Sequence, residues 1–204
     1  MKQNIEVMNQ VYKNFYAIYS DAYMDKKFGQ PYISCELIVE KELIKFLFAV
    51  PKDYVETFEK IISSFYPGAV IDQISQPKLV EAGKFAAGGY YTMTKESTFP
   101  IKTYENFEVD PMDSILSGFA RVGIDEKLAL QILVSPLSEQ WQKRMRDNVE
   151  EIKNGKKSFR KELSKLNGDK KDDKPEKENH KYSSGQRGDI EKKAEDEGFS
   201  VVIR

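Results

Sequence analysis

The fold turns on one stretch: Tyr32-Ile33-Ser34-Cys35-Glu36-Leu37-Ile38-Val39, then Glu40-Lys41-Glu42, then Leu43-Ile44-Lys45-Phe46-Leu47-Phe48-Ala49-Val50. Two runs of β-branched, aliphatic and aromatic residues flank a short charged break, which is the pattern of a β-hairpin. Pro51 stops the second run, because proline has no N–H to give to a ladder. Asp53 stands where a helix cap belongs, and Val55, Phe58, Ile61, Ile62 and Phe65 recur at helical spacing over 54–65. Tyr66-Pro67-Gly68 ends that helix, and residues 69–74 read as a third strand. The unit is strand-strand-helix-strand.

The same order recurs downstream. Residues 90–94 and 101–104 read as strands, and Asp110-Pro111 opens a helix with a cap followed by proline at the first helical position. Met112, Ile115, Leu116, Phe119 and Val122 supply its apolar face, and Gly123 ends it. Residues 128–134 form a nearly continuous apolar strand bounded by Pro136, and a helix over 138–153 carries Trp141, Met145 and Val149 on one side. Two such units of about 45 residues imply an architectural duplication, without residue identity between them. Upstream, Ile5, Met8, Tyr12, Phe15, Tyr19 and Tyr23 line one face of an amphipathic helix over 4–24, flanked by Val11, Tyr16 and Ile18. The expected fold class is α+β. Two strand-strand-helix-strand, ferredoxin-like units form a mainly antiparallel sheet with helices packed on it, preceded by the N-terminal helix.

Charged residues make up 32% of the chain and hydrophobic ones 40%, a mixture that a folded core with a solvated segment attached produces. The segment is visible after Asn154, where opposite charges alternate through Asp169-Lys170-Lys171-Asp172-Asp173-Lys174-Pro175-Glu176-Lys177-Glu178. It has too few apolar residues to offset its ordering entropy. The expected boundaries are 1–27 for the N-terminal helix, 31–154 for the α+β domain, 155–188 for a disordered charged linker and 189–204 for the start of a further helix-strand unit. In that last piece Asp189 caps a helix, Gly198 ends it and Phe199-Ser200-Val201-Val202-Ile203 begins a strand. The chain reads there as stopping in mid-strand, a fragment of something longer.

The net charge of -1 gives no bulk electrostatic reason to bind nucleic acid or anionic lipid. One cysteine, Cys35, and one histidine, His180, exclude an internal disulfide framework, a cysteine-rich zinc site and a histidine-based triad. Cys35 shares a strand face with Ile33 and Leu37 and reads as a small core residue. No apolar run approaches the roughly 20 residues of a membrane helix, and residues 1–10 are too polar for a signal peptide. The expectation is a chain with no cofactor, no metal and no direct membrane span, placed in the cytoplasm.

Asn154-Gly155-Lys156-Lys157-Ser158 ends like a phosphate-binding loop, but Glu150 stands where its first glycine belongs. It also follows a helix rather than a strand, so a helix stop with solvated lysines is the better reading. Gly88-Gly89 reads as a plain connection. Glu36 and Glu40 lack the convergent partners that acid–base chemistry needs. The one locally basic stretch holds Lys143, Arg144, Arg146, Lys157 and Arg160, the candidates for nucleic-acid or partner contact, with a solvated helix face as the bland alternative.

As a set these motifs resemble a known region. Ile33-Ser34-Cys35-Glu36-Leu37-Ile38, Phe46-Leu47-Phe48-Ala49-Val50-Pro51-Lys52 and Phe65-Tyr66-Pro67-Gly68-Ala69 form one block. Val109-Asp110-Pro111-Met112-Asp113-Ser114-Ile115 and Leu130-Gln131-Ile132-Leu133-Val134-Ser135-Pro136 with Trp141-Gln142-Lys143 form another. Their order and spacing, with the closing Gly198-Phe199-Ser200-Val201-Val202-Ile203-Arg204, resemble the N-terminal region of bacterial conjugation-type ATPases similar to type IV secretion coupling proteins. The resemblance covers most of the chain, and its motifs are structural. The Walker motifs of the motor lie outside these residues, so no catalytic residue carries over and this chain is not itself expected to be an enzyme. Members often begin with membrane-spanning segments, which this chain lacks.

The resemblance implies a non-catalytic assembly or docking domain in DNA or protein translocation. It further implies a place at the inner face of the membrane through partners. Those partners are other subunits or domains of the transfer machine, with self-association and weak nucleic-acid contact as further expectations. A stand-alone interaction module with a charged tether is the competing reading, and a small enzyme with an unrecognised site is a third.

Overall fold

The computed structural model describes residues 2–75, 77–94, 97, 99, 101–103, 107–153, 184–195 and 197–204, without the side chains of residues 2–6, 111, 151–153 and 184–187. It is an α+β structure of two compact units. The first comprises Met1–Thr92, Lys102–Leu137 and Gly198–Arg204; the second comprises Met93–Ile101 and Ser138–Glu197.

The first unit is built on a four-stranded sheet in the order β2-β1-β3-β4, with every neighbouring pair antiparallel. The strands are β1 (Ile33–Glu40), β2 (Leu43–Ala49), β3 (Lys127–Pro136) and β4 (Phe199–Ile203). β2 and β3 both run antiparallel to β1 and so are parallel to each other, a split crossover with β1 between them. The register aligns Cys35 with Phe48 and Ile132, Leu37 with Phe46 and Leu130, and Val134 with Val201. Alternation then makes one face of the sheet apolar across all four strands. The other face mixes Leu and Ile with Ser34, Glu36, Glu40, Lys45, Lys127 and Gln131.

Helices α1 (Lys2–Phe15) and α3 (Val55–Phe65) cover one end of the apolar face. Val11, Phe15 and Ile18 meet Phe58, Ile62 and Ile33 there, with Cys35 and Phe199 against them. The rings of Phe15 and Phe58 lie 5.6 Å apart, and those of Phe48 and Phe58 lie 5.0 Å apart. Each fully buried side chain of this kind is worth about 1.5–3 kcal/mol. The Tyr16 hydroxyl donates to the Leu137 carbonyl at 3.0 Å, tying the end of α1 to the exit of β3. α4 (Pro111–Phe119) starts as its sequence dictates, with Asp110 Oδ1 accepting from the Met112 N–H at 2.9 Å and proline in the first turn.

The second unit holds α5 (Glu139–Lys153) and α6 (Ser184–Glu195). Met145, Val149, Ile190 and Ala194 form its core, with Phe99 and Trp141 packed on it. Lys193 Nζ donates to the carbonyls of Ser97 at 2.6 Å and Phe99 at 2.9 Å, and burial lowers its pKa.

Several expected elements differ. The N-terminal helix does not run to residue 24: α1 ends at Phe15, Tyr16–Ile18 tightens into a 3-10 turn, and a separate α2 (Tyr23–Phe28) follows. The break is stabilised by Gln30, whose side chain accepts from the Ser20 N–H at 2.8 Å and donates to the Ser20 carbonyl at 2.9 Å. Asp53 lies inside a 3-10 turn, Lys52–Tyr54, and makes no side-chain cap for α3. Residues 69–74 are not a strand, nor are 90–94 beyond one bridge from Tyr91 to Ile203, nor 101–103; Tyr104 lies outside the described residues. Val70, Ile71, Ile74, Tyr90, Met93 and Ile101 are exposed, so strand composition here finds no ladder among the described residues. The sheet is mainly antiparallel as expected, but it draws β1 and β2 from the first expected unit, β3 from the second and β4 from the segment after them.

Phe199–Ile203 does not begin a further domain, because it is the fourth strand of that sheet. Residues 184–188, assigned to the charged linker, are helical in α6, and residues 154–183 of the linker lie outside the described residues.

Candidate docking edge

Lys41 and Glu42 have φ of +52° and +62°, so the hairpin closes through a two-residue turn with both centres left-handed. In such a turn the flanking pair, Glu40 and Leu43, exchanges both backbone hydrogen bonds, and bonded pairs then alternate. Ile38–Lys45, Glu36–Leu47 and Ser34–Ala49 are therefore bonded pairs as well. Ile44, Phe46 and Phe48 point their N–H and C=O groups the other way, toward the outer edge of β2. No strand among the described residues pairs with that edge.

The outer edge of β4 is different. Tyr91 N–H donates to the Ile203 carbonyl at 2.9 Å and interrupts it. Natural sheets blunt their edges with charges, bulges or covering segments, and β2 has little of this. It exposes Leu43, Ile44, Phe46 and Phe48, with Phe46 at 68%. Its one charge, Lys45, is held by Glu40 Oε2 at 3.0 Å. Glu40 also takes Lys127 at 2.9 Å, and Lys127 reaches Glu81 at 2.8 Å and the Lys78 carbonyl at 3.0 Å. The ammonium groups of Lys127 and then Lys45 hold the Glu40 carboxyl down from 4.5 to about 2. Glu40, Lys45, Lys127 and Glu81 neutralise one another at this corner.

Beside the edge lies an apolar cavity of about 430 Å³, lined by Met8, Phe48, Ile62, Phe65, Tyr66 and Pro67. The Tyr66 hydroxyl donates to Met8 Sδ at 3.8 Å across its wall. Phe48 belongs both to this cavity and to the open edge. An unpaired strand edge next to an apolar pocket can take an extended segment, with main-chain hydrogen bonds supplying affinity and the pocket selecting a side chain.

The basic candidates lie elsewhere. Lys143, Arg144 and Arg146 are exposed on α5, opposite the buried Met145 and Val149. Glu139, Asp147 and Glu150 are exposed on the same helix face, so three cations are interleaved with three anions. Lys157 and Arg160, together with 154–158 as a whole, lie outside the described residues. Cys35 packs half-buried against the core, and burial followed by the Glu36 carboxylate pushes its thiol up to about 11. Glu36 accepts from Gln131 Nε2 at 2.9 Å.

The docking residues Ile44, Phe46 and Phe48 are not among the site residues expected from the sequence. Their signal is the run Leu43–Ala49 itself, apolar on both sides of the alternation with one charge in seven residues.

The chain matches, over residues 2–204, the model of a family described as Domain of unknown function (DUF8128). The chain belongs to that family. The DUF8128 match spans both units and runs through β4. No curated protein and no solved structure matches the chain. In this DUF8128 member, no helix among the described residues is long and apolar enough to cross a membrane.

Proposed function

We propose that this chain is a non-catalytic assembly and docking domain of a type IV secretion or conjugation-type ATPase, serving DNA or protein translocation. The observation that carries the docking part is the open apolar edge of β2, with Ile44, Phe46 and Phe48 offering backbone groups outward beside a pocket. The secretion part rests on the motif resemblance, in which the ATP-hydrolysing motor follows in the same polypeptide. Its partners are then other subunits or domains of the transfer machine, and its place is the cytoplasm, at the inner membrane face through those partners. The exposed face of α5 supports nucleic-acid contact poorly, because its cations alternate with carboxylates.

Two measurements test the proposal together. DNA sequenced beyond the Arg204 codon is expected to continue in frame to G-x-x-x-x-G-K-[ST] placed after a strand. Deleting residues 31–153 from the encoded protein is expected to abolish transfer while ATP hydrolysis persists. A frame that closes without a motor, or transfer that survives the deletion, overturns it.

A further inference from the structure

We propose that β2 pairs with β2 of a second copy of this chain, antiparallel, about a two-fold axis through Phe46. The inference rests on the reading of β2 as a docking edge and names the occupant of that edge. Its first support is the hydrogen-bond phase. The residues whose N–H and C=O groups face outward are Ile44, Phe46 and Phe48. A two-fold at Phe46 sets Phe46 against its copy and Ile44 against Phe48, so every outward-facing pair is a bonded pair. Moving the axis to Lys45 sets Phe48 against the turn residue Glu42. Moving it to Leu47 sets Ile44 against Val50, which lies past the end of β2.

The side chains agree with that register. An axis perpendicular to the sheet keeps each face on its own side, making the contact isologous. The apolar faces then join through Phe46 on Phe46 and Ile44 on Phe48, cross-strand pairs of the favourable aromatic and β-branched kinds. On the opposite face Leu43 meets Ala49 and Lys45 meets Leu47. Lys45 does not face its copy directly, and its ammonium is already neutralised by Glu40 at 3.0 Å. Ile44 of the second copy arrives beside Phe48, a wall of the apolar cavity.

The test uses charge reversal at the axis. Sedimentation should show a dimer for the natural chain, and Phe46→Lys and Phe46→Glu should each weaken self-association at least about 100-fold, since like charges set face to face cost several kcal/mol. An equimolar mixture of the two variants should recover the dimer. Phe46 is largely exposed, and circular dichroism checks that each variant folds. Independently, Phe46→Cys in a Cys35→Ala background should form an intermolecular disulfide on mild oxidation. Bonded antiparallel pairs hold their Cα atoms about 5.5 Å apart, within disulfide range. A natural chain that stays monomeric at every concentration overturns the self-pairing, as does a dimer indifferent to charge at position 46 or a mixture no tighter than its components. A monomer leaves the docking reading to be decided by the reading frame and the transfer phenotype.

Discussion

Ser34 sits in β1 with 3% of its surface exposed, and its hydroxyl finds no hydrogen-bond partner among the described residues. A buried hydroxyl left unpaired costs about 1–3 kcal/mol. Ser34→Ala is therefore expected to raise the unfolding free energy by about 1 kcal/mol in urea titration; a fall of that size would mean the hydroxyl is satisfied. Single residues are legible in the sequence when their chemistry is local. Asp110 caps α4 as read, because a cap needs only its own carboxylate and an N–H two residues on. Asp53 offers the same chemistry, yet Tyr54 occupies the cap position because the chain enters α3 through a 3-10 turn. Cys35 is legible as a core residue because alternation alone places it with Ile33.

The hairpin β1-β2 is legible almost to the residue, since two apolar runs around a three-residue charged break leave few other pairings. Which edge of a strand stays open is not legible, because it depends on segments far away in the chain. Residues 69–74 show the limit from the other side: Val70 at 88% exposure has strand composition and no strand partner among the described residues. The corner of the hairpin also carries a pH dependence. The folded pKa of Glu40 lies near 2, below the ordinary 4.5, so the folded state resists protonation over that interval. The stabilisation is fully present above pH 4.5 and is lost as pH falls toward 2. Melting curves of the natural chain and of Glu40→Gln should differ most above pH 4.5 and converge near pH 2. A gap unchanged across that range would contradict the ion-pair account. Because the Glu40 side chain is partly open to solvent, salt should narrow the gap as well.

At the scale of the molecule, α+β class and antiparallel pairing follow from the order of elements, while the count of units does not. Phe199–Ile203 is readable as a strand from its β-branched run, but that run cannot announce that its ladder partner is Lys127–Pro136. The basic stretch likewise looks like a contact site in one dimension, whereas the helix places Glu139, Asp147 and Glu150 between its cations. A chain ending at Glu197 loses β4 and uncovers the β3 edge at Gln131, Leu133 and Ser135. Such a chain should unfold at lower urea, by more than about 3 kcal/mol for the lost ladder and apolar burial. An unchanged midpoint would mean that β4 adds nothing to the sheet.

Gln131 exchanges backbone hydrogen bonds with Arg204, 73 residues later in the chain. On the ribosome, at roughly 5–20 residues per second, that distance is seconds of waiting after β3 has emerged. Throughout the wait the nascent sheet has bare margins on both sides, and neighbouring polysome chains present the same apolar margins to one another. Slowing translation through the charged stretch lengthens this exposure, so codon choice there should govern how much of the newly made protein reaches its native state.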